Sequence, residues 1–142
     1  VAEDTYMFRT NITALKDYIA ALPAYSAFEV FEGYKAVGVL KRSCITFVIT
    51  SARKTAQRDA WEMGVKVILI ERGLTPSIIT DAETLMNNIQ NYADATNDTM
   101  SSFIMIEGFD AEYYHESGYY GAVAIDLKVH LMREVRSQAG GF

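Results

Sequence analysis

The plainest signal lies in the last third of the chain, where Tyr119, Val123, Ile125, Leu127, Val129 and Leu131 take odd positions against Tyr120, Asp126, Lys128 and His130 on even ones. A period of two belongs to an extended strand with one face buried and the other wet. Ser102 to Tyr113 is extended in character too, and His115-Glu116-Ser117-Gly118 supplies turn residues between the two, so a hairpin is predicted. A second pair stands upstream. Cys44 to Thr50 alternates Ile45, Phe47 and Ile49 with Cys44, Thr46, Val48 and Thr50, and Val65 to Arg72 sets Val67 and Leu69 against Lys66, Ile68, Ile70 and Arg72. The many β-branched members favour a pleated surface.

Two stretches change period. Ile12, Leu15, Ile19 and Leu22 recur at helical spacing, with Thr10 or Asn11 as the expected cap. Pro23 cannot continue the helix and biases Leu22 away from helical angles, so the helix should end there. Thr80-Asp81-Ala82-Glu83 has the form of a capping box, which places a helix start at Thr80. Its apolar stripe is Ala82, Leu85, Met86, Ile89, Tyr92 and Ala93. A short extended piece is expected from Ala27 to Glu32.

Between the first two strands, Ser51 to Gly64 reads as a long polar connection containing Arg53, Lys54, Arg58, Asp59, Trp61 and Glu62. Connections of that length tend to be functional, and part of this one is expected to extend the strands beyond the sheet. The order of elements is helix, short strand, hairpin, helix, hairpin, with no βαβ alternation. The fold class that follows is α+β, an antiparallel β-sheet of about four to five strands with two α-helices packed on one face. Residues 1–135 are expected to form a single domain and 136–142, with Gly140-Gly141, a flexible tail.

Composition narrows the chemistry. The chain has 142 residues, half of them apolar, which suits one globular domain. Its formal net charge of -5 argues against a dedicated polyanion binder, because phosphate binding needs clustered cations. No apolar run approaches the roughly 20 residues of a membrane span. Val1-Ala2-Glu3-Asp4 carries two acids where a secretory signal would begin basic, so export by that route is not expected. The single Cys44 lies in a strand pattern and reads as a buried inert thiol in a reducing compartment.

No catalytic constellation stands out. His115 and His130 lack further His or Cys at ligand spacing, so neither a metal site nor a cofactor is expected. No Gly-rich phosphate loop occurs, and Gly33, Gly38, Gly64, Gly73, Gly108, Gly118 and Gly121 fall at expected turns or bulges. Glu107, Asp110, Glu112 and Glu116 read as an exposed acidic strand edge rather than a paired-carboxylate site. Tyr113, Tyr114, Tyr119 and Tyr120 gather around one turn, where apolar area with a polar tip suits an interface as well as simple exposure.

The run GFDAEYYHESGYYGAVAIDLKVHLMRE, Gly108 to Glu134, resembles the carboxy-terminal hairpin of the lambda-type bacteriophage tail terminator family, in which an aromatic, acidic strand turns into one with an alternating DL.V pattern. The CITFVIT strand, the polar excursion, the GVKVILIERG strand and the capped helix follow the family's order. The resemblance spans nearly the whole chain.

It implies a tail-terminator-like fold and a structural virion protein without enzymatic activity. Such a protein forms a hexameric ring that caps the tail tube, ends tail polymerisation and presents a surface to the head or its connector. The implied partners are further copies of the chain, the tail tube protein and a head-tail connector or stopper protein. DNA would pass through the lumen without specific binding, and no membrane is involved. The implied location is the tail or neck of the virion, and the host cytoplasm during assembly.

Arg53, Lys54 and Arg58 are expected to meet acidic surface on an adjacent subunit or on the tube protein, with Trp61 as an anchor and Tyr113, Tyr114, Tyr119 and Tyr120 as further contacts. Two alternatives remain open: another neck or tail-completion protein, and a small α+β ligand-binding domain.

Overall fold

The computed structural model describes residues 4–5, 8–34, 42–56, 60–72, 77–96, 102–114, 120–132 and 134–135. The elements are β1 (Asp4–Thr5), α1 (Phe8–Ala20), a 3₁₀ turn (Pro23–Tyr25), β2 (Glu29–Glu32), β3 (Cys44–Lys54), β4 (Ala60–Arg72), α2 (Ile78–Thr96), β5 (Ser102–Tyr114), β6 (Tyr120–Met132) and β7 (Glu134–Val135). The fold is α+β. Five strands form one sheet in the order β2-β3-β4-β6-β5, and β1 pairs with β7 in a separate short ribbon. The expected tail, 136–142, lies outside the described residues.

The helices begin earlier than their cap signals suggest. Phe8 opens α1 because its ring packs edge-to-face on Trp61, with centroids 5.3 Å apart, so Thr10 and Asn11 lie inside the helix. Tertiary contact outweighs the local cap there. The far end behaves as proline dictates, since Leu22 is extended at φ -73°, ψ 133°, and Pro23 opens the 3₁₀ turn. In α2 the Asp81 N–H donates to the Ser77 carbonyl at 2.8 Å. Ser77 therefore stands at the cap position just before Ile78, and Thr80 sits within the first turn rather than capping it. Burial of Ile78 in the core accounts for the extra residues.

Ile12, Leu15 and Ile19 of α1 and Ile78, Ala82, Leu85, Ile89 and Ala93 of α2 are buried, and they share one apolar cluster with the odd-numbered residues of β3, β4 and β6. Both helices therefore cover the same sheet face. Tyr18 and Tyr92 meet between them at 5.1 Å, and Asn88 donates to the Tyr25 hydroxyl at 2.9 Å.

The sheet is mixed rather than wholly antiparallel, because β2 runs parallel to β3, pairing Glu29 with Cys44 through Glu32 with Phe47. A parallel neighbour needs a return connection, and the chain between Glu32 and Cys44 is long enough to supply one. Gly33 begins that return at φ 87°, a left-handed conformation that only glycine adopts freely. Its N–H donates to the Phe47 carbonyl at 3.0 Å, and its own carbonyl accepts from the Thr46 hydroxyl.

Most of the expected polar connection is strand. Ser51 pairs with Gly64, Ala52 with Met63, Arg53 with Glu62 and Lys54 with Trp61. Backbone hydrogen bonds carry the ladder onward where the side chains of β3 no longer bury, a continuation that composition alone cannot signal. A bulge separates Ile49 from Ser51. Gly64 stands opposite it, where a Cβ would come within 2.8 Å of Ser51 Oγ and 2.9 Å of Thr50 Oγ1.

Candidate functional site

The even positions of β4 and β6 build the sheet face that the helices leave open. Register alignment gives successive rows across it: Cys44, Ile70 and Ala122; then Thr46, Ile68, Ala124 and Asp110; then Val48, Lys66, Asp126 and Gly108; and, past the bulges, Ser51, Gly64, Lys128 and Met105. The last row holds Arg53, Glu62, His130 and Phe103. The face thus passes from small and apolar at one end to charged in the middle and mixed at the other.

Lys128 Nζ lies 3.0 Å from Glu62 Oε1 and 3.4 Å from Glu107 Oε2, and Lys66 Nζ lies 3.6 Å from Asp126 Oδ1. The hydrogen bond from Lys128 holds the Glu62 carboxyl below its ordinary value. The same bond, aided by the charge of Glu107, raises Lys128. These cross-strand pairs fix the charges of neighbouring strands into one band. At the other side of the molecule, Glu32 ties β2 to α1, accepting from the Thr13 hydroxyl at 3.1 Å and lying 3.7 Å from Lys16 Nζ and 3.8 Å from Arg9 Nε.

Among the described residues the sheet has two exposed margins. β2 covers β3 only as far as Phe47, so the stretch from Val48 to Lys54 has no outer strand among the described residues, and Ile49 to Lys54 are exposed. At the opposite margin β5 is the terminal strand over its 13 residues. Among its described side chains Phe103 at 46%, Met105 at 40% and Phe109 at 42% are large, apolar and exposed, while Ile49 on the β3 margin is 38% exposed.

The residues singled out as contacts fall into two places. Arg53 and Lys54 are exposed on the β3 margin. Trp61 is half-buried and turned in part to its own chain by the contact with Phe8. Tyr113 pairs with Gly121 and Tyr114 with Tyr120, and these lie at the end of β5 opposite to Phe103, whose row contains Arg53. Tyr113, Tyr114 and Tyr120 are thus at the opposite end of the sheet from Arg53 and Lys54. Arg58 and Tyr119 lie outside the described residues, as does His115.

Sequence reasoning missed Phe103, Met105 and Phe109. Their signal was available in the run Phe103-Ile104-Met105-Ile106, which is apolar on both strand faces although β5 has a helix-covered neighbour on only one.

A concavity of about 490 Å³ lies on the open face, floored by Ile68, Ala122 and Ala124 and bordered by Tyr34, Lys66 and Asp110. Among the described residues no three His, Cys, Asp or Glu side chains gather as a metal-binding group, and no helix is long and apolar enough to cross a membrane. The Cys44 thiol is fully buried. No protein-family model and no curated protein matches the chain.

Proposed function

We propose that the chain is a structural virion protein that assembles into a ring, caps a bacteriophage tail tube, ends tail polymerisation and offers a surface to the head or connector. The supporting observation is a sheet packed on one face by both helices and left with two exposed margins on opposite sides. A protomer with two different margins suits a heterologous contact, and such contacts repeated about a rotation axis close into rings. The likeness of the 108–134 hairpin to tail terminators supplies the biological setting. The acid-rich balance suits a lumen past which DNA slides, because like charge discourages adhesion.

The test is the mass of the purified chain by sedimentation velocity, with negative-stain imaging of the chain alone and mixed with its cognate tail tubes. Discrete rings that cap tube ends are expected. A strict monomer at high concentration that ignores tube ends overturns the proposal. Rings that bind portal complexes and not tubes would instead assign the chain to another neck component.

The concavity beside Tyr34 and Lys66 favours a second reading, a small ligand-binding domain. Thermal-shift titration with metabolite panels checks it, and a saturable rise in melting temperature is the result that reading requires.

A further inference from the structure

The two margins differ in charge. From Val48 to Lys54 the β3 margin carries Arg53 and Lys54 and no acid, whereas β5 from Glu107 to Tyr114 carries Glu107, Asp110 and Glu112 and no cation. Each also exposes apolar area: Ile49 on one, Phe109 on the other. Ile49 stands opposite Val65 and Phe109 opposite Ile125, both core residues, so these two positions belong to the helix-covered side of the sheet, whereas Phe103 and Met105, opposite His130 and Lys128, belong to the open side. Arg53 and Asp110 belong to the open side, opposite Glu62 and Ala124.

We infer that the β3 margin of one protomer docks along the β5 edge of the next copy of this chain, continuing the sheet from subunit to subunit. This rests on the ring-forming reading and names its contact. Unpaired strand edges are templates for further pairing unless something blunts them, and main-chain bonding between edges is a recurrent mode of recognition. Polarity agrees. β3 is antiparallel to β4, β4 to β6 and β6 to β5, so β5 runs opposite to β3. Copies in the same orientation therefore bring β5 and β3 together as an antiparallel pair, the pairing that dominates the rest of the sheet. Within one protomer Arg53 shares a row with Phe103 and Asp110 shares one with Thr46, so the contact joins Arg53 to Asp110 with the neighbour displaced along the strands, which also carries its β2 past the end of β5. In that register opposite charge selects this edge-to-edge combination over β3 with β3 or β5 with β5, where like charges would face each other.

Glu107 is already engaged by Lys128 in its own chain, so charge reversal is best placed elsewhere. One variant carries Arg53→Glu with Lys54→Glu, a second carries Asp110→Lys with Glu112→Lys, and a third carries all four. Association is measured by sedimentation velocity, with circular dichroism melting as the check on folding. Each double variant alone should weaken association by about tenfold or more. The quadruple variant, and an equimolar mixture of the two doubles, should recover most of it.

Wild-type association should also weaken as salt rises, a readout that needs no variant. Wild-type rings indifferent to salt and to both reversals overturn this contact while leaving the ring reading intact. A silent β3 reversal beside a disabling β5 reversal overturns it in favour of a two-fold β5 contact. A monomeric wild type overturns both the contact and the ring.

Discussion

The two faces of the sheet are made by different physics from the same strands. On the helix side, Met63, Val65, Val67, Leu69, Val123, Ile125, Leu127, Val129 and Leu131 are buried against α1 and α2. On the other side Lys66, Asp126, Lys128 and Glu62 form a band of half-exposed ion pairs, flanked by Ala122 and Ala124 at one end and by exposed Phe103 and Met105 at the other. The covered face holds the fold together through apolar burial. The open face contributes little to stability, because exposed ion pairs are weak in water, and it stays available for contact. One corner breaks the division. Cys44, Thr46 and Val48 face the open side yet are buried, beside the Gly33 return.

That contrast can be broken most forcefully from within the covered face. Leu85→Ala removes a fully buried α2 side chain and should destabilise the protein by about 2–5 kcal/mol in urea unfolding; a loss below about 1 kcal/mol would mean that the helix is not anchored as described. At the buried corner, Thr46→Val keeps the shape but takes away the donor to the Gly33 carbonyl, with an expected cost of about 1–3 kcal/mol by the same measurement. Gly33→Ala meets no atom within 4 Å, so only the strained φ counts, and a loss of about 1 kcal/mol is expected.

The open face gives the smallest effect, read as a pH dependence. Glu62 is held below its ordinary value by Lys128, so its contribution is present above the unfolded-state carboxylate value and is lost as pH falls through the lower folded-state value. Lys128 is raised. Its contribution is present at neutral pH and is lost only as pH climbs past the raised folded-state value. Glu62→Gln should therefore lower the melting temperature slightly at neutral pH, and the gap from wild type should close in acid. A gap that widens in acid would contradict the pairing.

Much of this architecture was legible because its period is local. The odd-even alternation of β6 and β4 picks out the side chains that turn out buried, and Pro23 marks the end of α1. The helix starts were not legible, since Phe8 and Ile78 are held by residues distant in sequence: Trp61 for the one, the shared core for the other. Nor was the reach of the β3-β4 hairpin. Arg53, Lys54 and Gly64 have the composition of a loop, and only pairing across the ladder makes them strand.

On α1, α2, β4 and β6 the amino-acid pattern by itself determined which residues turn inward, because burial there follows a period written along a few consecutive positions. Tertiary structure alone decided which strands became neighbours. The parallel placement of β2 and the insertion of β6 between β4 and β5 leave β3 and β5 as the exposed margins. Pairing order depends on contacts between segments far apart in the chain, and no local period encodes it. The split of the contact candidates has the same origin, since Arg53 and Tyr114 reach opposite ends of the sheet only once the register is set.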